Sequence, residues 1–519
     1  MLAGRDLRAP ASDACRGSGS EPPARTRSLS QPPSDARRSP TPLERFLRLF
    51  TDVRPGEGRI ALLMFVNVFL LLCAYYLLKP LREGWLAISD VGDLTKRELK
   101  TYTSFAQALL LAGAATWYGR LVDRWPRGVL ITRATLFAMA NIVAFWLVQP
   151  DFLIGHVPGM GFAYYVWVGM FGAFIVAQFW AFAADLYPQE QGKRLLPMIA
   201  IGATAGGVAG SWLEGRLVAW SLLDPRYLLL ASLPFLAVSL ALTRHVDAAM
   251  GGVGKRRGAR LEDRPVEGLG ALPLVFGSRF LLAVAITTLL LNCVKTLGEA
   301  MLFERAVDGY VAAQAAAAGI TGETELRAFR QAATTQFFGR FFFWVNTLAL
   351  VLQAFFASRL LRYGGFGALF LMLPVVAVTS YSAMWLLPVM WVITTMKVVE
   401  NATDYSIQNT ARHVLWLPMS QEITFKAKPT IDSLFMRGGD GLAALTVLLG
   451  VQVFSLPERS YFAVNVSLAL LWLGLAVWIV RKHRRLSEDA DPQSSPGKPD
   501  IGRDVGRDVE MEARTAPAS

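Results

Sequence analysis

Two charged octets close apolar runs in this chain: Lys79-Pro80-Leu81-Arg82-Glu83-Gly84-Trp85-Leu86 and Lys295-Thr296-Leu297-Gly298-Glu299-Ala300-Met301-Leu302. Both read K-x-L-x-E-x-x-L. A basic side chain at the centre of a membrane-spanning helix costs about 2.5–3.5 kcal/mol, so a charge placed twice in the same setting points to a polar site. A third group lies further on. Lys397, Glu400, Asp404 and Gln408 fall at i, i+3, i+7 and i+11, one helical face, between apolar flanks at 388–393 and 414–416. The next apolar segment carries Asp432 near its start and Arg437 with Asp440 near its middle. Cations held in low dielectric bind phosphate-like anions strongly. Acids among them would hold the cations when no anion is present.

Each group has a blander reading beside the functional one. Lys79 and Arg82 stand at a distance along their helix from which they can snorkel to the bilayer surface. Lys295 and Glu299 can pair at i,i+4, and Arg437 with Asp440 at i,i+3. Lys397 and Glu400 can satisfy each other as a buried ion pair that only holds helices together. Arg340 reads as a snorkelling residue at the outer end of its span.

The elements that must position these side chains are hydrocarbon-spanning helices. The chain has 519 residues, 53% of them hydrophobic and 18% charged, and runs of about 20 apolar residues, bilayer length, recur along it. We read an all-α polytopic membrane protein with about twelve transmembrane helices in two six-helix pseudo-repeats. The expected spans are 59–88, 100–120, 128–148, 160–185, 194–214, 226–244, 278–302, 336–358, 366–386, 388–412, 428–453 and 460–481. Residues 1–42 and 486–519 have the composition of disordered cytoplasmic tails. The remainder divides into an N-terminal bundle (43–244, with a short amphipathic lead-in), a cytoplasmic linker (245–277) and a C-terminal bundle (278–485). The Ala-rich stretch 303–335 reads as a long outer connection with a short helix. Lys and Arg gather in alternate connections and after the last span, which puts both termini in the cytoplasm of a multi-pass, bacterial inner-membrane protein.

The connections also hold candidate gates. Asp123 and Arg124 follow the second span, Asp185 lies near the inner end of the fourth with Gln178 two turns back, and Lys193 and Arg194 precede the fifth. Gly202, Gly206, Gly207 and Gly210 crowd the fifth span at a spacing that lets helices approach closely, for packing or for sliding. The net charge of +12 fits inward-facing loops, and no basic-aromatic module suggests nucleic acid. Gly251 to Arg256 lacks phosphate-loop spacing, the four histidines form no metal-ligand pattern, and no hydrolase constellation stands out. The reading is a non-enzyme without cofactor; its oligomeric state is not legible.

The segment Gly119-Arg120-Leu121-Val122-Asp123-Arg124-Trp125-Pro126-Arg127, G-x-L-x-D-R-x-x-R, resembles the signature loop of the major facilitator superfamily. Gly192-Lys193-Arg194-Leu195-Leu196-Pro197-Met198-Ile199-Ala200-Ile201-Gly202 is similar to the AKRFYPLFGLG stretch of the ATP/ADP translocase (nucleotide transporter) family. Leu297-Gly298-Glu299 resembles that family's seventh helix, and Lys428 with Asp432 the opening of its eleventh. The first-helix motif departs, with K-P-L-R-E where the translocases carry R-D-x-K-D. The resemblance covers about 45–485. It implies a secondary transporter of a small anionic solute, with ATP/ADP-type nucleotide exchange as the specific case. Lys79, Arg82, Lys295, Lys397 and Arg437 would bind the anion, and Glu83, Glu299, Glu400, Asp404 and Asp440 would balance them. A non-transporting scaffold or sensor on the same fold, or an exporter of another small solute, is the alternative.

Overall fold

The computed structural model describes residues 53–54, 56–150, 152–153, 157, 159–219, 227–250, 272–419 and 421–489. The first six crossings are α1 (Gly58–Ala87), α2 (Lys96–Arg124), α3 (Arg127–Leu147), α4 (Met160–Leu186), α5 (Gln189–Ala219) and α6 (Leu228–Ala231 continued by Leu233–Ala249). A short helix, Leu272–Gly277, leads into α7 (Arg279–Glu304), which runs on through a π-helical stretch, Arg305–Val311, to Ala317. Then come α8 (Glu323–Val351) and α9 (Ala357–Leu386). Gly365, at φ 65, breaks α9, so its first turns prolong α8 and the next crossing starts after the break. The last three are α10 (Met390–Thr403, then Asp404–Gln408 and Asn409–Leu415), α11 (Gln421–Thr430 through Met436–Leu448 to Val453) and α12 (Glu458–Asp489).

Nine stretches of described helix are long and apolar enough to cross a bilayer, and one of them, Glu323–Leu386, contains both α8 and α9. Two helices fall outside that set for chemical reasons. α2 opens with Lys96, Arg97, Glu98 and Lys100, started by a capping box in which Thr95 and Glu98 satisfy each other's backbone amides. α10 is interrupted by the π-helical turn Asp404–Gln408. The protein is an integral, multi-pass, all-helical membrane protein.

Two apolar cores form, one within the first six helices and one centred on the second six that also takes in Tyr76, Leu86, Leu99 and Tyr165 of the first. Val68, Leu78, Tyr164, Ile199 and Leu236 belong to the first, and Val294, Leu297, Phe338, Tyr381, Ile407 and Trp472 to the second. The glycines of α5 serve close packing. A Cβ added at Gly202, Gly206 or Gly210 would stand 2.8, 2.2 or 2.5 Å from the carbonyl oxygens of Phe65, Phe69 and Cys73 on α1. Pro80 lies inside α1 without ending it.

The two sets meet through α8 on α1 and α5, and through α2 on α7 and α11. The polar contacts between the sets include several at the face where α1 ends. At the face where α1 begins, no substantial packing joins α4 or α5 to α10 or α11 among the described residues. Two connections are more helical than expected. The stretch 303–335, expected to carry one short helix, is mostly helix: α7 extends to Ala317 and α8 starts at Glu323, because an alanine-rich segment is a strong helix former. The linker expected at 245–277 is partly helical, with α6 reaching Ala249 and Leu272–Gly277 preceding α7. The amphipathic lead-in at 43–52, residues 1–42, the middle of the linker and the last thirty residues lie outside the described residues.

Candidate substrate site between the two helical sets

Lys79, Arg82 and Glu83 are carried on the last turns of α1, and none reaches the surface. Glu83 is 1% exposed. It accepts a hydrogen bond of 3.0 Å from Arg82 Nε and another from Lys100 Nζ of α2. Both cations lie over the ring of Tyr165, 4.3 and 4.4 Å from its centroid. Lys79 is buried as well, yet among the described residues no carboxylate forms a salt bridge with it, although the charges of Glu299 and Glu83 bear on it. Its ammonium sits 4.1 Å from the ring centre of Phe342, 5.0 Å from Tyr76 and 5.8 Å from both Tyr75 and Tyr405. Rings from α1, α8 and α10 thus cage one cation. The snorkelling reading fails for Lys79 and Arg82 because aromatic and acidic partners hold them inside.

From the second set, Lys295 of α7 donates to Asp404 Oδ2 at 2.7 Å, and Arg412 lies 3.5 Å from the other oxygen. The i,i+4 pair expected between Lys295 and Glu299 is not made. Asp404 reaches Lys295 from the facing helix and displaces the intrahelical partner, whose pairing is worth only about 0.2–0.5 kcal/mol on a helix surface. Glu299 is left half-buried and without a hydrogen bond, within the electrostatic field of Lys295, Lys397, Lys100 and Lys79.

Lys397 behaves differently from the lysine expected to face substrate. It is 0% exposed and donates to Glu400 Oε2 at 2.7 Å. The Tyr381 hydroxyl lies 2.9 and 3.0 Å from the two oxygens of Glu400 and accepts from Lys397 at 3.2 Å. This is a closed ion pair. Gly298 makes room for it, since a Cβ there would stand 2.0 Å from the Tyr381 oxygen and 2.9 Å from Lys397 Nζ. Asp440 accepts from Thr296 at 2.7 Å, with Arg437 3.9 Å away and partly exposed.

The candidate gate residues sit apart from this group. Arg127 pairs with Asp185, and Arg194 with Glu57 at 3.0 Å, both inside the first six helices. Arg124 and Asp432 are exposed; the side chains of Asp123 and Lys193 lie outside the described residues. In this conformation several polar contacts between the sets lie at the face where α1 ends, and Thr204 of α5 donates to Gln353, just beyond α8, at 3.1 Å. Arg97 of α2 bonds Glu304 of α7 at 2.7 Å and stacks on Tyr461 of α12 at 4.1 Å. Gln452 of α11 donates to Glu98 at 3.1 Å.

Lys100, Arg97, Arg412 and Tyr381 were not among the residues expected from sequence. The run Lys96-Arg97-Glu98-Leu99-Lys100 held the signal for two of them, because so many charges rarely open a membrane helix without partners. Together the cluster contains seven cations (Lys79, Arg82, Lys100, Lys295, Lys397, Arg412, Arg437) and five carboxylates (Glu83, Glu299, Glu400, Asp404, Asp440). Its positive excess is suited to an anion.

No family model matches the chain, and no curated protein matches it in sequence. Solved structures do match in shape. The human organic anion transporter MFSD10 (TETRAN) superposes with a TM-score of 0.52 at 16% identity, covering 82% of this chain and 100% of that one. The nucleoside transporter NupG gives 0.53 at 12%, covering 83% and 99%. A bacterial homologue of the iron transporter ferroportin, in its inward-facing state, gives 0.54 at 13%, covering 81% and 98%. The fold is that of the major facilitator transporters. On this fold the charged cluster occupies the seam between the two six-helix sets.

Proposed function

We propose that this protein is a secondary transporter that moves a small anionic solute by alternating access, with a nucleotide as the specific substrate. Lys79 carries the proposal: a buried ammonium with no carboxylate partner, beside Arg82 and Lys295, is a place kept for negative charge. The rings around it, Tyr75, Tyr76, Phe342 and Tyr405, would give a flat base or sugar something to stack on. Lys295, Arg82 and Arg437 would add phosphate contacts. Glu299, which makes no salt bridge among the described residues but bears on the surrounding lysines, would release its hold on them as the anion arrives. The two six-helix halves, 43–244 and 278–485, would rock about the site. In this reading the basic connections lie in the cytoplasm, the present conformation opens inward, and Arg97–Glu304 belongs to the outer gate. Asp123, Arg124, Asp185, Lys193, Arg194 and Asp432 would meet across the halves only when the inner side closes.

The closed Lys397–Glu400–Tyr381 group favours a second reading, a non-transporting scaffold whose charges are structural. A thermal-shift panel on the purified protein separates the two. ATP, ADP, inorganic phosphate, nucleosides and organic cations are compared on wild type and Lys79→Ala. Stabilisation by an anion that is lost in Lys79→Ala supports the transporter; no shift with any solute favours the scaffold.

A further inference from the structure

One carboxyl group lies outside the cluster just described. Glu214 of α5 is 0% exposed, and neither of its oxygens has a hydrogen-bond partner. It packs on the bare face of Gly339 in α8, where an added Cβ would stand 1.9 Å from its Oε2. The neighbouring Arg340 is exposed and is the charged group that bears on Glu214 from α8. Arg340 lines, with Gln336, Trp212 and Arg216, a crevice of about 260 Å³ beside this seam. The other helix packed along α5 is α1. Gly210 meets it at Cys73, and one and two turns further α1 carries Leu77 and Leu81, both buried and apolar. On α5 itself, Arg216 lies over Trp212, 5.7 Å from its ring centre.

A bare carboxylate in such a place costs several kcal/mol, and groups of this kind are carried as the neutral acid. The position matters as much as the charge. α5 and α8 come from different six-helix sets, so any rocking of the sets slides this seam, as packed helices do in shear motions. A small displacement would bring the carboxyl from the face of Gly339 to the guanidinium of Arg340.

We propose that Glu214 is a proton-binding site that couples movement of the α5–α8 seam to protons, a coupling ion for the transport reading on which this inference rests. Buried against Gly339, Glu214 holds its proton. When the seam shifts, the O–H bond breaks, the proton passes to solvent at the end of the seam, and the carboxylate pairs with Arg340. Return to the present conformation needs a proton back.

Two measurements on the full chain test this. In infrared spectra of the purified protein at neutral pH, wild type should show a neutral-acid carbonyl band that is missing from Glu214→Gln and displaced in Glu214→Asp; identical spectra would overturn the site. In proteoliposomes, a gradient of one pH unit should change solute accumulation about tenfold per proton carried. Glu214→Gln and Arg340→Gln should abolish that response, while Arg340→Gln, at an exposed position, keeps the band. Transport that ignores the gradient in wild type would overturn the coupling and leave the carrier reading intact. A band with no transport of any solute would overturn the carrier reading and the coupling with it, leaving only a protonated structural residue.

Discussion

Removing Lys397 should cost stability, whereas removing Lys79 should cost mainly function. The two lysines are almost equally hidden, at 0% and 6% exposure, but only Lys397 has an acidic partner. Lys397→Ala leaves Glu400, itself 4% exposed, buried without its cation and with the Tyr381 hydroxyl as its remaining hydrogen-bond partner. Breaking a buried pair by deleting one member costs about 3–5 kcal/mol, or roughly two to three and a half powers of ten in the unfolding equilibrium. Lys79→Ala gives up cation–π attraction of about 0.5–2 kcal/mol and also removes the desolvation cost of an unpaired ammonium, so its net effect on stability is small. The assay is the thermal unfolding midpoint of each variant of the full chain in one detergent, with ligand binding measured alongside. The double change Lys397→Met with Glu400→Gln should recover most of the loss, because it removes both charges. Equal destabilisation by Lys79→Ala and Lys397→Ala would refute the assignment of one lysine to structure and the other to substrate. So would a Lys397→Ala protein as stable as wild type.

Other consequences can be checked in parallel. Glu83→Gln strands Arg82 and Lys100 in the interior and should lower stability by about 3–5 kcal/mol, with Glu83→Asp losing less; thermal unfolding reads both. Arg97→Ala or Glu304→Ala should loosen the face where α1 ends. A cysteine placed at Ser104 should then react faster with a water-soluble thiol reagent, and an unchanged rate would argue against a gate there. Gly206→Ala would push a methyl to 2.2 Å from the Phe69 carbonyl and should cost about 1–3 kcal/mol through overpacking, whereas Gly113→Ala, which meets nothing within 4 Å, should be nearly neutral.

The architecture was largely legible in the sequence because bilayer-length apolar runs are a strong signal. Spans at 100–120, 388–412 and 428–453 were legible too, but the charged opening turns of α2, the π-helical turns Asp404–Gln408 in α10 and Ile431–Phe435 in α11, and the length of helix in the alanine-rich stretch after α7 were not. The site was legible in part. Spacing places Lys397, Glu400 and Asp404 on one helical face, but it does not say which helix comes to meet that face. Asp404 therefore turned out to serve Lys295 on α7, while Lys397 and Glu400 closed on each other under Tyr381. Lys100 escaped notice because its partner, Glu83, lies on another helix. Glu214 gave no signal at the end of a helix dominated by small residues. What makes it unusual is the bare surface of Gly339, and only the fold brings the two together.

On the proposed reading, the cationic seam between the two sets carries an anion across the membrane. Counterflow in proteoliposomes tests it most directly: vesicles loaded with unlabelled ADP are given labelled ATP outside, and other anions are then tried in the same arrangement. Saturable exchange of one anion for another is expected, and it should be lost in Lys79→Ala while that variant stays folded. No exchange of any anion, or exchange that Lys79→Ala leaves at the wild-type rate, would contradict it.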